Sequence, residues 1–398
     1  MNAIIRFLHK PFFRSYRTLF GLWLIIALYT YWKNMVHNRV PENTYYIFKY
    51  VYVHAIQGLT LYGEYLSQYV DENHYGPFFS LFIAPFAVLP DWLGYLLWQL
   101  LIVFALYVAV RLSDFKDKQK KFVLWFCAVE MLNCAFVAQF NGVIAALLIW
   151  SFVAVEKERD EWSTFAILLG TFIKLYGIVG LAFFFFSKHK VRYVLSFVVW
   201  TIVMFCAPMI ISSPEYVVSQ YVDWYHSLSI KNHLNIGSWD QNISLLGIVR
   251  RWSGGQTYSD LWIIIPGLIA FAAAYFRIDR WKERWFREMV LANVMMFVTL
   301  FSTGTESYGH IISMVGVVIW YTATPWRRGK WDIALMVFAF ILTSLSPSDL
   351  CPAYIRKTYI IPYSLKALPI VLIWLKLTWE MVKKPLSPVL SPSGERES

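Results

Sequence analysis

The sequence predicts an all-α, polytopic membrane protein with about 12 transmembrane helices. Composition is the first reason. Of 398 residues, 58% are hydrophobic and 19% aromatic, while only 15% are charged, against roughly a quarter in soluble domains. The second reason is that the apolar residues gather in runs close to the roughly 20 needed to cross a bilayer. The third is that the basic residues lie between these runs and crowd one side of the predicted membrane. A net charge of +11 without a Lys/Arg stripe on a polar domain argues against a nucleic-acid partner. Cys127, Cys134, Cys206 and Cys351 form no C-x-x-C and read as small hydrophobes, not a disulfide scaffold.

The first run, 18–36, follows Arg6, Lys10, Arg14 and Arg17 and precedes Lys33 and His37 instead of a small-residue cleavage site. It reads as an uncleaved first span. In the loop that follows, Asn43, Tyr46, Tyr50, His54 and Gln57 share one helical face. Ile47, Val51 and Ala55 point away, as on a helix lying flat at the interface. The stretch 76–89 is apolar but short and holds Pro77 and Pro85, with Pro90 after it. It predicts a half-inserted or interfacial helix, because lipid cannot satisfy the backbone groups that proline frees. Runs 91–112, 122–138 and 142–155 come next, the last two meeting at the turn-like Gln139–Gly142. Residues 162–187 are too many for one span and carry Lys174 at the centre. A hairpin turning at Lys174–Gly177 gives spans 162–174 and 175–187 and brings the ammonium to a surface. The remaining runs are 192–212, 259–276, 287–303, 308–324, 331–347 and 359–380. Residues 1–380 are expected to form a single membrane domain and 381–398, Ser/Pro-rich from Pro385, a disordered cytoplasmic tail.

With the N-terminus inside, 25 of the 36 lysines and arginines fall on inner segments and 9 on outer ones, so both termini are predicted cytoplasmic in a cell (inner) membrane. Treating 76–89 as a full span would reverse every later loop. The same orientation gathers the polar turns on the outer side: Asp71 to His74, Gln139 with Asn141, Lys174 with Tyr176, Asn242 to Ser244 with Arg250 and Arg251, and Glu306 with His310. Each alone is an ordinary loop; together they predict a site mouth. Glu130 lies inside a span with Asn133 one turn above, either a functional acid or a neutral carboxyl bonded between helices. There is no P-loop, G-x-G-x-x-G, G-x-S-x-G or H-E-x-x-H, and no histidine pair with ligand spacing, so no metal and no cofactor is predicted.

Several pieces between residues 17 and 380 resemble glycosyltransferase family 87. Asn43–Phe48 running to Gly58-Leu59-Thr60-Leu61-Tyr62 is similar to the family's D-F-x-V-Y … G-x-x-L-Y. Tyr75-Gly76-Pro77-Phe78 with Pro85 and Leu89-Pro90 is similar to its Y-P-P-L … P … L-P. Gln139-Phe140-Asn141 resembles its Q-x-N tip, and Gly170 with Ile173-Lys174-Leu175-Tyr176 its G-x-x-x-K-x-x-P. Asn242-Ile243-Ser244 with Arg250 or Arg251 resembles N-x-S … R, and Ser307-Tyr308-Gly309-His310 resembles S-W-x-H. The resemblance implies a GT-C-like fold and an inverting hexosyltransferase, mannosyltransferase-like. It would move a sugar from a polyprenyl-phosphate donor to a glycan or glycolipid acceptor at the outer face of the bilayer.

The family's first-loop acid falls on Thr44, which is no base at neutral pH. Either the proton acceptor is then Glu42, Asp71, Glu72 or Glu306, or the activity differs. Glu306 with His310 and Asp71 with His74 are the two acid–imidazole pairs at helical spacing. Lys174 and Arg250 or Arg251 are the expected donor-phosphate cations, with Tyr176, Gln139, Asn141, His74 and Asn242 around the donor. The alternative is a transporter or flippase for lipid-linked sugars, which predicts paired intramembrane charges, broken helices and internal repeats. A scaffold without a site would leave the gathered outer residues unexplained.

Overall fold

A computed structural model of the protein describes residues 11–37, 41–255 and 258–383; Arg6, Lys10 and the tail from 384 onward lie outside the described residues, as do the side chains of Glu42 and Asn43. Among the described residues every regular element is helical. The principal helices are α1 (Tyr16–His37), α2 (Pro41–Gln57), α3 (Phe79–Ala87), α4 (Asp91–Leu112), α5 (Asp117–Phe126), α6 (Ala128–Phe136), α7 (Asn141–Glu156) and α8 (Asp160–Lys174). They continue as α9 (Lys190–Cys206), α10 (Pro214–Gly237), α11 (Leu245–Trp252), α12 (Leu261–Ala273), α13 (Arg284–Leu300), α14 (His310–Ala323), α15 (Lys330–Ala339) and α16 (Leu368–Val382). One buried apolar cluster reaches from Leu19 to Met381. Its innermost helices, α7, α13 and α14, bury nearly every side chain, and therefore carry no amphipathic stripe.

Each of the 12 predicted runs falls on helix, but helix length alone supports fewer crossings. Tyr16–Val36, Asp91–Leu112 and Lys190–Ile210 are long and apolar enough to cross, and a fourth span results if the bent pair Ala353–Ile360 and Leu365–Val382 counts as one. The other runs are shorter or interrupted. The run 122–138 breaks at Cys127 into α5 and α6. The run 331–347 leaves α15 for a π-helical turn at Phe340–Leu345. The run 359–380 takes in a bend of 87° between Ala353–Ile360 and Leu365–Val382, where Pro362 lacks an N–H and Ser364 takes φ +54°. The segment 76–89 contains only the nine-residue α3, about 13 Å long at 1.5 Å per residue and too short to cross.

The hairpin predicted at Lys174 is present. Leu175 takes φ +52° and ends α8, and the chain returns as an 11-residue 3₁₀ helix, Tyr176–Phe186. At about 2.0 Å per residue that helix covers about 22 Å, matching the 15 residues of α8 at 1.5 Å. The arms touch because a Cβ on Gly177 would sit 2.3 Å from the Ile167 carbonyl oxygen. On α2 the apolar face formed by Ile47, Val51 and Ala55 is buried against the rest of the protein. His54, assigned to the polar face, is buried too, bonded to Gln68 at 2.8 Å and covered by the Tyr65 ring. Many ion pairs, including Arg287–Glu156, Arg192–Asp160 and Arg328–Glu380, lie in or beside the loops predicted to face inward.

Candidate active site

The turns predicted to lie outside meet at one end of the bundle, and backbone hydrogen bonds tie them together. The Gly76 N–H donates to the Ile173 carbonyl at 3.1 Å, an approach only glycine permits because a Cβ there would lie 2.1 Å from the Phe172 carbonyl oxygen. The Asn242 and Ile243 amides donate to the carbonyls of Thr303 and Thr305 at 2.9 and 2.7 Å. Trp224 Nε1 donates to the His74 carbonyl at 2.9 Å, bringing α10 onto the first loop.

Lys174 closes α8 at this junction. Its Nζ donates to Asn141 Oδ1 at 2.9 Å and lies 5.7 and 5.4 Å from the ring centres of Tyr75 and Tyr176. The Tyr75 hydroxyl donates to Gln139 Oε1 at 3.0 Å, and the Tyr176 hydroxyl bonds Ser302 at 3.2 Å. Gln139, Asn141, Lys174 and Tyr176, from two separate turns, therefore form one cluster. Among the described residues the ammonium has no carboxylate partner at contact distance, but Glu306 is near enough to act on it electrostatically. Glu306 itself is partly buried, accepts from Gln241 Nε2 and lies against the Tyr308 hydroxyl.

Other predicted residues are occupied elsewhere. His310 is fully buried; its Nε2 donates to the Ile243 carbonyl at 2.9 Å and its Nδ1 meets Ser313 Oγ at 3.2 Å. Both ring nitrogens are used, so the expected Glu306–His310 pair does not form here. Arg250 is bonded to Asp260 at 2.6 Å and to the Tyr258 carbonyl, and lies 4.4 Å from the Tyr258 ring. Arg251 donates to the carbonyls of Ser238, Trp239, Gln241 and Ile361, stitching the loop that carries Gln241. Both guanidiniums hold protein groups in place of the anion expected of them. Asn242, at φ +54°, accepts from Ser244 Oγ at 2.7 Å and shapes the turn before α11.

Asp71, His74 and Glu72 line a separate cavity of about 590 Å³ between the first loop and α10, with Asp223, His226 and Lys231. His74 Nδ1 meets Ser227 Oγ at 3.0 Å, so the Asp71–His74 pair is not joined either. Burial, with the Lys231 ammonium adding to it, pushes the His74 imidazole down to about 4, and it stays neutral at physiological pH. Burial, then Glu64 and Asp71, raises the Glu72 carboxyl.

Sequence reasoning missed one partner. Lys366 Nζ donates to Glu130 Oε1 at 2.8 Å and to Ser307 Oγ at 3.1 Å, with both charged groups buried. Asn133 completes the carboxylate at 3.2 Å. Two lone intramembrane charges of opposite sign were the available signal. Among the described residues no three His, Cys, Asp or Glu side chains gather as a metal site requires.

The family model for glycosyltransferase family 87 matches residues 73–303, more than half of the sequence. The chain belongs to glycosyltransferase family 87. It is accordingly a membrane glycosyltransferase. The match takes in Tyr75, Gln139, Asn141, Lys174 and the Asn242–Arg251 stretch, and stops three residues before Glu306. No individual curated protein matches the chain.

Proposed function

We propose that this family 87 enzyme transfers a hexose, mannose-like, from a polyprenyl-phosphate donor to a glycan or glycolipid acceptor at the outer face of the cell membrane, with inversion. One observation carries the reading. A partly buried ammonium, Lys174, sits at a hairpin turn within electrostatic reach of an acid, Glu306, that no cation among the described residues neutralises by contact. A leaving phosphate needs the first group and an acceptor hydroxyl the second. Glu306 takes the hydroxyl proton and the hydroxyl oxygen bonds to the anomeric carbon from the face opposite the phosphate. The anomeric C–O bond breaks with its electron pair leaving on polyprenyl phosphate, whose charge Lys174 balances. Asn141 fixes the ammonium, while Gln241 and Tyr308 fix the carboxylate.

The supporting orientation has both termini cytoplasmic and the domain spanning the bilayer about 12 times. Tags in 114–121 should then be accessible from the cytoplasm and tags near Ser229 from outside. The direct test is a panel of polyprenyl-phosphate sugars added to the enzyme in vesicles, with release of polyprenyl phosphate as the readout. No release from any donor would remove the proposal.

A carrier of lipid-linked sugars is the second reading. The buried Glu130–Lys366 pair beside the break between Ile360 and Leu365 favours it. Protein-dependent movement of donor across sealed vesicles without hydrolysis or transfer would select it.

A further inference from the structure

A cavity of about 370 Å³ opens beside Glu306, walled by Trp239, Asp240, Tyr308, Arg356, Ser364 and Lys366. We infer that it is the binding subsite for the acceptor's saccharide, a neutral, hydroxyl-rich ring; this deepens the transferase reading above and rests on it.

Four observations support the assignment. The cavity contains hydrogen-bonding capacity that the protein does not use. Ser364 Oγ is buried without a partner among the described residues, on a side chain only 1% exposed. Lys366 uses two of its three N–H donors on Glu130 and Ser307, leaving one for an occupant. Orphaned buried polar atoms cost free energy unless a ligand or water pairs with them, so they mark where hydroxyls belong.

The second observation is charge. The ammonium is matched by Glu130 at 2.8 Å, Arg356 donates to the carbonyls of Pro347 and Ser348, and Asp240 stands in the same wall. No cation in the wall is both unmatched by a carboxylate and unbonded to backbone. That suits a neutral polyol and does not suit a second phosphate, which recruits uncommitted Arg and Lys.

The third is an aromatic platform. Trp239 lines the cavity and is 58% exposed, with the Arg251 guanidinium 6.0 Å from its ring centre, so much of a large apolar side chain stands open at the mouth. A sugar ring presents one apolar face and a rim of hydroxyls, which matches Trp239 on one side and Ser364, Asp240 and Lys366 on the other.

The fourth is position. Gln241, which donates to the Glu306 carboxylate, and Tyr308, two residues along the chain from Glu306, both belong to the cavity wall. A saccharide seated there lies beside the side chains that neighbour the proposed base, and Lys174 and Asn141 are not part of its wall.

The test uses full-length protein in nanodiscs free of glycoside detergent, with octyl α-mannoside as the neutral probe and dodecyl phosphate as the anionic one, followed by calorimetric titration. Wild type should bind the glycoside, and Trp239→Ala should weaken that binding roughly tenfold or more. Ser364→Gly, which removes the hydroxyl from a left-handed position that glycine favours, should weaken it severalfold. Dodecyl phosphate should bind without displacing the glycoside. In turnover, both variants should raise the acceptor KM and leave the donor KM within about twofold. Competition between the two probes, or a donor KM that rises with Trp239→Ala, would overturn the assignment. Binding needs no turnover, so the two proposals fail separately. Glycoside binding lost in Trp239→Ala with no transfer from any donor keeps the cavity and removes the transferase reading. Transfer with an unmoved acceptor KM in both variants does the reverse.

Discussion

The two outer acids, Asp71 and Glu306, are the same chemical group in opposite surroundings. Asp71 is exposed at φ +95°, and its carboxylate accepts from the amide of its own neighbour, Glu72. It shares an open cavity with Glu64, Glu72 and Asp223, balanced mainly by Lys231 and beside a neutral His74. Glu306 is partly buried, held by Gln241 and Tyr308, and stands in the field of Lys174. A base must be held in place and pointed at its substrate, and of the two only Glu306 is bonded by a side chain from a distant segment, Gln241. The comparison teaches that spacing along the chain found both acids, whereas the partners that separate them come from distant segments.

The largest expected effect separates them directly. Glu306→Gln keeps the shape and an oxygen to accept from Gln241 but removes the proton acceptor, so transfer should fall by about 10² to 10⁴. Donor binding, measured by displacement of a labelled polyprenyl phosphate, should change little. Full activity in Glu306→Gln would return the base to the first loop.

The next effect concerns stability. Lys366→Met leaves Glu130 as an uncompensated buried carboxylate and should destabilise the protein by about 3–5 kcal/mol. Adding Glu130→Gln in the same chain should recover most of the loss, because the remaining groups are neutral. Thermal unfolding in detergent reads both variants. A single variant as stable as wild type would show that the pair carries no such burden.

Lys174→Met is a smaller change, because one charge-assisted contact to phosphate is removed while the acid remains. A loss of about 1.5–3 kcal/mol corresponds to roughly ten- to a hundredfold weaker donor binding. The acceptor KM should hold. If the acceptor KM rises instead, Lys174 belongs to the acceptor side and the arrangement of the two substrates is reversed.

Much of this layout was legible from the residues. The 91–112 run fixed α4 to the residue, and Lys174 in an overlong apolar stretch predicted the hairpin, since lipid does not tolerate a lone ammonium at mid-depth. Convergence of the turns followed from charge bias on the opposite loops. What the residues did not carry was partner choice. Arg250 and Arg251 look like free phosphate ligands until Asp260 and five carbonyls are placed around them. His310 looks like a proton relay until α14 buries it against Ile243. Lys366 found Glu130 only because the chain breaks at Pro362 and Ser364, and a bend of 87° is invisible in a hydropathy run. The 3₁₀ geometry of Tyr176–Phe186 was equally hidden, since it answers a need to match the length of α8 that exists only once the two arms are packed.

The smallest expected effect is the most discriminating one for the first loop. Asp71→Asn should leave transfer within about twofold of wild type, and three physical reasons set that limit. The carboxylate is exposed, so bulk water screens it and its charge acts weakly on anything at a distance. Its contact with the Glu72 amide survives in asparagine, whose side-chain oxygen is still an acceptor, so the local turn is kept. Asparagine also tolerates positive φ, so the strained backbone is not penalised. One consequence is still measurable. Asp71 favours the protonated form of His74, so removing its charge should lower that imidazole further below about 4. A histidine whose folded pKa lies below its unfolded value contributes stability that is present above the unfolded pKa and lost as pH falls through the folded one. Asp71→Asn should therefore match wild type between pH 6.5 and 4 and be slightly more acid-sensitive only near and below about pH 4, where the wild-type imidazole begins to take up its proton in the folded state, as read by thermal unfolding across that range, with activity at neutral pH unmoved. A variant that unfolds like wild type but has lost transfer a hundredfold would place the base at Asp71 and leave Glu306 as a charge partner of Lys174.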